Sequence, residues 1–152
     1  KQELRKSEIE HILCNNSSGV LAVMDQNGYP YTVPLSFAYT NGKIYFHSAL
    51  NGHKIDAVKN CSKSTFCIID KDDVQPEKYT SFYKSVIAFG NIKIVEDNDE
   101  ILFAIKEIGD KYYPDHDNEL QIEIEKSKSA FLIMRFDIEH CTGKQAIELA
   151  QK

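Results

Sequence analysis

The chain contains no long apolar run, no excess of basic charge and no apolar leader. Its apolar stretches are all shorter than the roughly 18 residues that a membrane-spanning helix needs, so we predict no membrane segment. Eighteen basic side chains against 23 acidic ones give a net charge of −5. Because nucleic-acid-binding proteins usually present a basic face, we expect no nucleic-acid partner. Residues 1–5 open an amphipathic charged segment that lacks the apolar stretch of a secretory signal, so we expect a cytoplasmic protein.

The four cysteines lack the CxxC spacing that zinc and redox sites use. They are spread along the chain as Cys14, Cys61, Cys67 and Cys141. We interpret them as buried free thiols, which suits a chain without an export signal. A zinc site built from Cys61, Cys67 and the neighbours His140 and Cys141 is the alternative, but it lacks the usual paired spacing. We therefore predict no metal.

Motifs of several enzyme classes are also missing. The chain has no GxGxxG or Walker-type loop, and Ser17 and Ser18 do not lie in a nucleophile elbow, so nothing supports hydrolase chemistry. Charged faces are usually solvated, and this is our interpretation of two close acidic pairs, Asp115 with Asp117 and Glu123 with Glu125.

The composition is that of an ordinary folded domain. The chain has 152 residues, of which 42% are apolar and 27% charged, and this is enough apolar material for one core. It shows no internal repeat and no low-complexity tract, so we predict a single domain over residues 1–152.

Local patterns predict short strands with a few helices between them. Ser7 and Glu10 match a capping box, which predicts a helix over residues 7–15. The Asn-Gly pairs at 27–28 and 41–42 predict tight turns. Strands are predicted over residues 20–24, 31–39, 44–48, 65–70, 85–95 and 130–138. Helices are predicted over 51–60, 97–113 and 117–128 and after Thr142-Gly143-Lys144, and a charged loop over 71–79.

This order of elements favours an antiparallel architecture. Strands and long helices alternate too little for a doubly wound parallel sheet. We predict a mainly β domain with flanking helices (α+β), arranged as a six-stranded antiparallel barrel. Pro34 cannot donate a ladder hydrogen bond, which predicts an edge, a bulge or a bend. Gly90, in the middle of a strand, predicts a bulge or a close approach.

Residues 45–54 carry the strongest functional signal. A strand ends in a small polar turn that contains Gly52, and a helix follows with Lys54 in its first turn. Free backbone N–H groups and the positive end of a helix dipole bind anions, so we predict a phosphate site with Ser48 and Lys54 as ligands. His53 can assist the phosphate or simply cap the helix. The alternative interpretation is a solvated loop with an ordinary surface lysine.

Two further features border this predicted phosphate site. His47 is adjacent to Ser48, so their side chains point to opposite faces of a regular strand, and both serve one ligand only where the strand ends. We consider His47 either a neutral imidazole near a substrate pocket or a packed or surface histidine. The small polar face of Thr32, Pro34 and Ser36 can accept a flat ring, and the alternative is a solvent-facing edge strand.

The order of these pieces resembles the FMN-binding split β-barrel proteins related to pyridoxamine 5′-phosphate oxidase. Within that group the chain is most similar to the nitroimidazole-resistance (Nim) proteins. The resemblance extends over about residues 3–145. It is carried by the segments Gly19–Ala22, Asp25–Gly28, Gly28–Phe37, Lys43–Ala49, Gly52–Lys54, Ser85–Gly90 and Thr142–Lys144.

The resemblance implies a homodimer with FMN bound at the subunit interface. It implies that the FMN phosphate is bound by Ser48, His53 and Lys54. It also implies that the isoalloxazine ring lies along Val33, Pro34 and Leu35.

The resemblance implies further contacts from other parts of the chain. Ser85 occupies a position where a polar side chain often meets the flavin. Thr142 and Lys144 look like the tail segment that reaches the partner subunit's cofactor, and His47 matches a histidine near the flavin in some Nim relatives.

The implied function is that of an FMN-dependent oxidoreductase. Electrons from NAD(P)H would reduce a small acceptor, for example a nitroaromatic such as nitroimidazole, with His47 as the catalytic candidate that hydrogen-bonds it. One alternative is a non-catalytic flavin- or haem-binding module. Another is pyridoxamine-phosphate oxidation. The oxidase has an Arg-Lys pair where this chain has His53-Lys54, and the last strand ends in Glu139-His140-Cys141 rather than in basic residues, so we expect no pyridoxal phosphate production.

Overall fold

Hydrogen-bonded antiparallel strands dominate the computed structural model, which describes residues 2–115 and 130–150. The predicted helix over 117–128, Asp117 and the pair Glu123 and Glu125 lie outside the described residues. The helices are α1 Lys6–Asn15, α2 His53–Asn60 and α3 Asn98–Tyr112. The strands are β1 Ser18–Met24, β2 Pro30–Ser36, β3 Ala38–Thr40, β4 Lys43–Ala49, β5 Lys63–Gln75, β6 Thr80–Ile94 and β7 Phe131–Gln145.

The strands form one open sheet. Its order is β2-β1-β5-β6-β7-β4-β3, and all neighbouring strands are antiparallel. In the described part of the chain the terminal strands β2 and β3 do not pair with each other, so the barrel is not closed. This confirms the predicted antiparallel split barrel with flanking helices. Pro34 lies on the edge strand β2, which confirms the expectation of an edge.

The sheet has seven strands among the described residues, not six, because the predicted strand over 31–39 breaks at Phe37. The buried Phe37 lies between β2 and β3, which occupy opposite ends of the sheet. Its backbone N–H donates to the Tyr112 hydroxyl at 2.9 Å, and that hydroxyl lies 2.8 Å from the Phe37 carbonyl oxygen. A side chain from α3 thus satisfies the backbone of Phe37 in place of a neighbouring strand.

The ends of two other strands were predicted wrongly, and the two errors share one physical reason. β5 continues to Gln75 through the segment predicted as a charged loop, and only Pro76–Lys78 forms a short 3-10 turn. β7 continues through residues 142–145, and residues 147–150 form turns where a helix was predicted. In both places pairing with β6 satisfies the backbone hydrogen bonds, so the strand continues beyond the residues that show an apolar alternation.

The helix starts were predicted with mixed success. α1 begins after Arg5, not Ser7, because the Glu8 carboxylate accepts hydrogen bonds from the Arg5 backbone N–H at 2.9 Å and from its Nε at 3.0 Å. α3 begins after Asp97 as predicted, and the Asp97 side chain accepts from the backbone N–H of Asp99 at 2.9 Å.

The sheet buries two apolar clusters, one on each face. The inward face packs against α1 and α2, and its fully buried side chains include Leu21, Phe46, Phe66 and Phe136. Among the described residues α3 covers the outward face over β3, β4 and the first half of β7, where Tyr45 and Ile133 are buried. An ion pair supports this cover, with Arg135 Nη1 2.7 Å from Glu100 Oε1 on α3.

A β-bulge divides β7 into two halves, which confirms the irregularity predicted at Gly90. Phe89 pairs with His140 and Gly90 with Ile138, so Glu139 is an extra residue that has no register partner on β6. A Cβ atom on Gly90 would lie 2.0 Å from the Asp137 carbonyl oxygen, so the strands approach closely there. Before the bulge the even-numbered residues face inward, as Phe136 does, and after it they face outward.

The cysteines are free thiols, but they are less buried than predicted. Cys14 is exposed and the other three are half-buried. Burial raises the pKa of the Cys141 thiol to about 11, so it is not a reactive thiolate at neutral pH.

Within residues 2–115 and 130–150 no group of three or more His, Cys, Asp or Glu side chains is placed to hold a metal ion. No described helix has the length and apolar character needed to cross a membrane.

Candidate functional site

Ser48 lies near the end of β4 and has an unsatisfied hydroxyl. It follows Ile44 and Phe46 on the inward face and is 4% exposed. Its Oγ is buried and has no hydrogen-bond partner among the described residues. Leaving a buried hydroxyl unpaired costs about 1–3 kcal/mol. An acceptor group that reaches this position would therefore be stabilised by the hydroxyl.

The start of α2 adds positive charge close to Ser48 in the chain. Gly52 is the N-cap residue and has a φ of 136°, a conformation that favours glycine. No side chain caps this helix end. Lys54 lies in the first turn, is half-buried, and forms no ion pair with the described part of the chain. A helix N-terminus with a lysine in its first turn and a hydroxyl shortly before it in the chain is the combination of groups that suits a phosphate.

His53 contacts an acidic residue that sequence reasoning missed. Its Nε2 lies 3.4 Å from Asp25 Oδ2, and its ring packs edge-on against Tyr31 with centroids 4.6 Å apart. Asp25 Oδ1 accepts hydrogen bonds at 2.8 Å from two backbone N–H groups of its own turn. His53 therefore bridges α2 to the β1–β2 turn and does not cap the helix. The turn signal at residues 25–28 was visible in the sequence, but its distance from α2 was not.

The strand predicted to lie beside the ring presents two different surfaces. Val33 and Leu35 are half-buried and pack against the inward core, whereas Pro34 is exposed on the outward side with Thr32 and Ser36. A ring lying along this strand can therefore meet the outward side of Pro34 or the open backbone edge of β2.

Three predicted residues lie together on the outward face. Ser85 pairs with Lys144, and Ile87 pairs with Thr142 on the neighbouring strand. Thr142 and Lys144 line a cavity of about 500 Å³ whose walls include Phe89 and His140. The bulge at Glu139 turns Thr142 and Lys144 to this side.

One row of paired residues links this outward cluster to Pro34. It crosses five strands as Pro34, Val20, Cys67, Ile87 and Thr142. The row is half-buried or exposed along its length, since no helix covers this part of the sheet in the described residues. The predicted ring and tail residues therefore share one surface.

His47 lies apart from the predicted phosphate ligands. β4 remains regular through Ala49, so His47 points to the face opposite Ser48. It is exposed and pairs with Ile133. A role for His47 at a bound ligand remains a prediction.

Comparisons with known proteins identify a matching family and solved structures with a similar fold. The sequence model of the family described as pyridoxamine 5′-phosphate oxidase matches residues 5–145. A solved structure from Bacteroides thetaiotaomicron, described as a proposed 5-nitroimidazole antibiotic resistance protein, is 22% identical with a TM-score of 0.77, over 94% of this chain and 86% of that one. An FAD-binding protein from Mesorhizobium loti is 24% identical with a TM-score of 0.65, over 95% of this chain and 97% of that one.

A third solved structure is a larger protein. The FAD- and haem-binding protein from Mycobacterium smegmatis is 16% identical with a TM-score of 0.82, over 96% of this chain and 74% of that one. At these identities the three structures show a shared fold. No curated protein matches the chain. The family match covers nearly the whole chain, which therefore belongs to the pyridoxamine 5′-phosphate oxidase family.

Proposed function

We propose that this protein is an FMN-dependent oxidoreductase that uses NAD(P)H to reduce a small acceptor, such as a nitroaromatic of the nitroimidazole type. The observation that carries the proposal is the buried Ser48 hydroxyl, which has no hydrogen-bond partner among the described residues and lies shortly before the uncapped start of α2 in the chain. The family match and the flavin-binding names of two solved relatives support it.

The residues around α2 would hold the phosphate end of the cofactor. Lys54 supplies a positive charge, the first turn of the helix supplies backbone N–H groups, and Ser48 supplies a hydroxyl. Asp25 and Tyr31 hold the His53 ring at the edge of this site. These groups recognise a phosphate by charge and by hydrogen-bond donors.

The outward face would hold the ring end. A bound flavin supplies hydride transfer, which no side chain of the protein can provide. Pro34 presents a flat apolar surface, and Ser85 and Thr142 present hydroxyls to the same face. Ring and tail residues would come from different subunits, since Thr142 and Lys144 are proposed to reach the partner's cofactor.

We also propose that the partner is a second copy of this chain. In the described residues no helix covers this outward face, which is continuous over five strands and exposes apolar side chains such as Ile87, and this suits burial against another sheet. Sedimentation analysis should give twice the monomer mass of 17.4 kDa. A monomer at micromolar concentration would contradict this part of the proposal.

Replacement of Lys54 tests the cofactor assignment. Lys54→Glu places a negative charge at the proposed phosphate site, and we expect at least about a hundredfold loss of FMN affinity in a fluorescence titration. Lys59→Glu is the matched control, because Lys59 lies at the opposite end of α2 and is exposed. Equal flavin content in both variants would reject the assignment. Flavin released from wild-type protein by denaturation identifies FMN or FAD by chromatography.

A non-catalytic flavin- or haem-binding module is the second candidate. It is supported by the fold shared with the protein described as binding FAD and haem. Mixing flavin-loaded protein with NADH or NADPH without air separates the two candidates. Bleaching of the flavin absorption supports the oxidoreductase, whereas unchanged colour supports the module.

A further inference from the structure

Asp25 is a buried carboxylate whose two oxygens have different partners. Its side chain is 8% exposed. Oδ1 accepts hydrogen bonds at 2.8 Å from the backbone N–H groups of Asn27 and Tyr29, which fixes the carboxylate within its own turn. Oδ2 faces His53 Nε2 at 3.4 Å. The turn therefore presents an oriented acceptor oxygen to the first residue of α2.

The His53 ring is held in one orientation. Tyr31 packs edge-on against it with ring centroids 4.6 Å apart, and Asp25 lies opposite Nε2. The other ring nitrogen, Nδ1, is nearer to the main chain and forms no hydrogen bond with the described part of the chain. Because His53 is the first residue of α2 and its side chain is 52% exposed, Nδ1 is available at the helix start, where we place the phosphate.

The partner of Nε2 decides what Nδ1 can do. A neutral imidazole has one N–H donor and one acceptor nitrogen, and a carboxylate only accepts. With Asp25 Oδ2 opposite Nε2, the proton of the neutral ring lies on Nε2 and Nδ1 is an acceptor. An acceptor repels a phosphate oxygen, whereas an imidazolium carries protons on both nitrogens and donates from Nδ1. His53 can therefore donate to a phosphate only in its protonated form.

We infer that Asp25 makes phosphate binding at the start of α2 dependent on pH. This regulation rests on the proposed function, because it acts at the proposed phosphate site. When His53 is protonated, it adds a donor and a positive charge beside Lys54. Histidine side chains lose this proton between about pH 5 and pH 8, and His53 then turns an acceptor to the ligand and weakens its binding. Asp25 is a positioning residue, since it acts on the flavin phosphate through His53.

The charged and titratable groups around His53 come from three segments. Asp25 belongs to the β1–β2 turn, Tyr31 to β2, and Lys54 and Asp56 to α2 itself. Of these, Asp25 is the group that faces Nε2. Asp56 lies in the first turn of α2 and is exposed. Asp56→Asn therefore removes a carboxylate from the same neighbourhood without changing the partner of Nε2, which makes it the matched control.

Asp25→Asn changes the tautomer of His53 and keeps the turn. The amide oxygen of asparagine still accepts from the backbone N–H groups of Asn27 and Tyr29, so the amide NH2 group takes the place of Oδ2. This NH2 group donates to Nε2, and the proton of the neutral ring moves to Nδ1. In the variant His53 thus donates to the phosphate in both its charged and its neutral form.

The test measures FMN affinity by fluorescence titration at about pH 6 and about pH 8.5, on either side of the histidine range. The ratio of the two affinities is compared between proteins, because a uniform loss of affinity and the ionisation of the FMN phosphate itself cancel in that comparison. We expect the affinity to fall with rising pH about tenfold more in the wild type than in Asp25→Asn. His53→Gln, which removes the titrating ring, should resemble Asp25→Asn, and Asp56→Asn should resemble the wild type.

Three results would overturn the inference. They are equal ratios in the wild type and Asp25→Asn, a wild-type ratio in His53→Gln, and a ratio in Asp56→Asn as low as in Asp25→Asn. Equal ratios with tight FMN binding reject the regulation and leave the proposed function standing, whereas a wild type that binds no FMN at either pH rejects both. If Asp25→Asn does not fold, the other two variants decide, since the pH dependence must vanish in His53→Gln and persist in Asp56→Asn.

Discussion

The outward face of the sheet consists of two halves with the same alternating pattern and different surroundings. Over β4 and the first half of β7, α3 covers the face and leaves Ile133 0% exposed. Over β5 and β6 nothing in the described chain covers it, and Ile87 is 37% exposed. An alternating apolar pattern therefore indicates that one face of a strand is suited to burial. It does not identify the element or molecule that buries it.

In the covered half, polar contacts join the sheet to α3. Glu100 on α3 accepts from the Tyr45 hydroxyl at 2.9 Å and from Arg135 Nη1 at 2.7 Å. The open half carries Ser85, Thr142 and Lys144, which we assign to ligand binding. Stability and binding are thus assigned to different halves of one sheet face, and the following changes test that division.

The largest effect is expected where the two halves of β7 meet. Gly90→Ala places a Cβ atom 2.0 Å from the Asp137 carbonyl oxygen. Because two backbone segments must move apart, we expect a loss of more than about 4 kcal/mol in the free energy of unfolding, or no folded protein. The control is Gly28→Ala, where φ is 83° and no atom is near, which should cost only about 1 kcal/mol in urea denaturation. Equal costs would show that the bulge adapts.

A matched pair of truncations compares the halves directly. Ile133→Ala removes a fully buried side chain beneath α3, and we expect a loss of about 3 kcal/mol in chemical denaturation. Ile87→Ala on the open half should cost the monomer less than about 1 kcal/mol. It should instead weaken self-association measured by sedimentation. A large loss of monomer stability in Ile87→Ala would mean that the division is wrong.

The ion pair beneath α3 gives a pH-dependent test of the covered half. Burial raises the pKa of the Glu100 carboxyl, but hydrogen bonds from Arg135 and Tyr45 outweigh burial and hold this pKa below its ordinary value of 4.5. The carboxylate therefore stabilises the fold above pH 4.5, and this contribution is lost as the pH falls further. We expect Glu100→Gln to cost about 1–2 kcal/mol at pH 7. The difference from wild type should shrink below pH 4.5 in acid denaturation; a constant difference would contradict the assignment.

The last test concerns the charge of Lys111 at the end of α3. Burial lowers the pKa of Lys111 from its ordinary 10.5 to about 8. Its Nζ donates to the Asn16 carbonyl oxygen at 2.6 Å and lies 3.9 Å from the centre of the Phe37 ring. Because the unfolded chain binds this proton more tightly, wild-type stability should rise between pH 8 and 10.5. Lys111→Met should lack that rise in thermal unfolding; an identical pH profile would exclude Lys111 as its source.

Much of the architecture was predictable because it depends on local chemistry. The alternation of β1 and β4 and the turn at Asn41 and Gly42, where φ is 50° and 77°, follow from neighbouring residues. The break at Phe37 does not, because the hydroxyl that satisfies its backbone belongs to Tyr112, 75 residues away in the chain. The full length of β5 was missed because a run of charged residues shows no apolar alternation, although their backbone pairs with β6.

The candidate site shows the same limit. Ser48 and Lys54 could be named from the strand-to-helix pattern, whose chemistry is local. The contact of His53 with Asp25 could not, since it joins two segments that the sequence does not relate. Nor could the surroundings of Phe89, because its partner His140 is set opposite it by the bulge on another strand.

The extra residue Glu139 in β7 has a consequence for how the outward face of the sheet can change in evolution. Deleting that single residue would restore regular alternation along β7, so the lysine and threonine beyond it would turn into the apolar interior. The lysine charge would then lose its solvent, and the hydroxyl would leave the sheet surface. One codon gained or lost at this place can therefore create or erase the polar part of the outward face, while every other strand keeps its sequence.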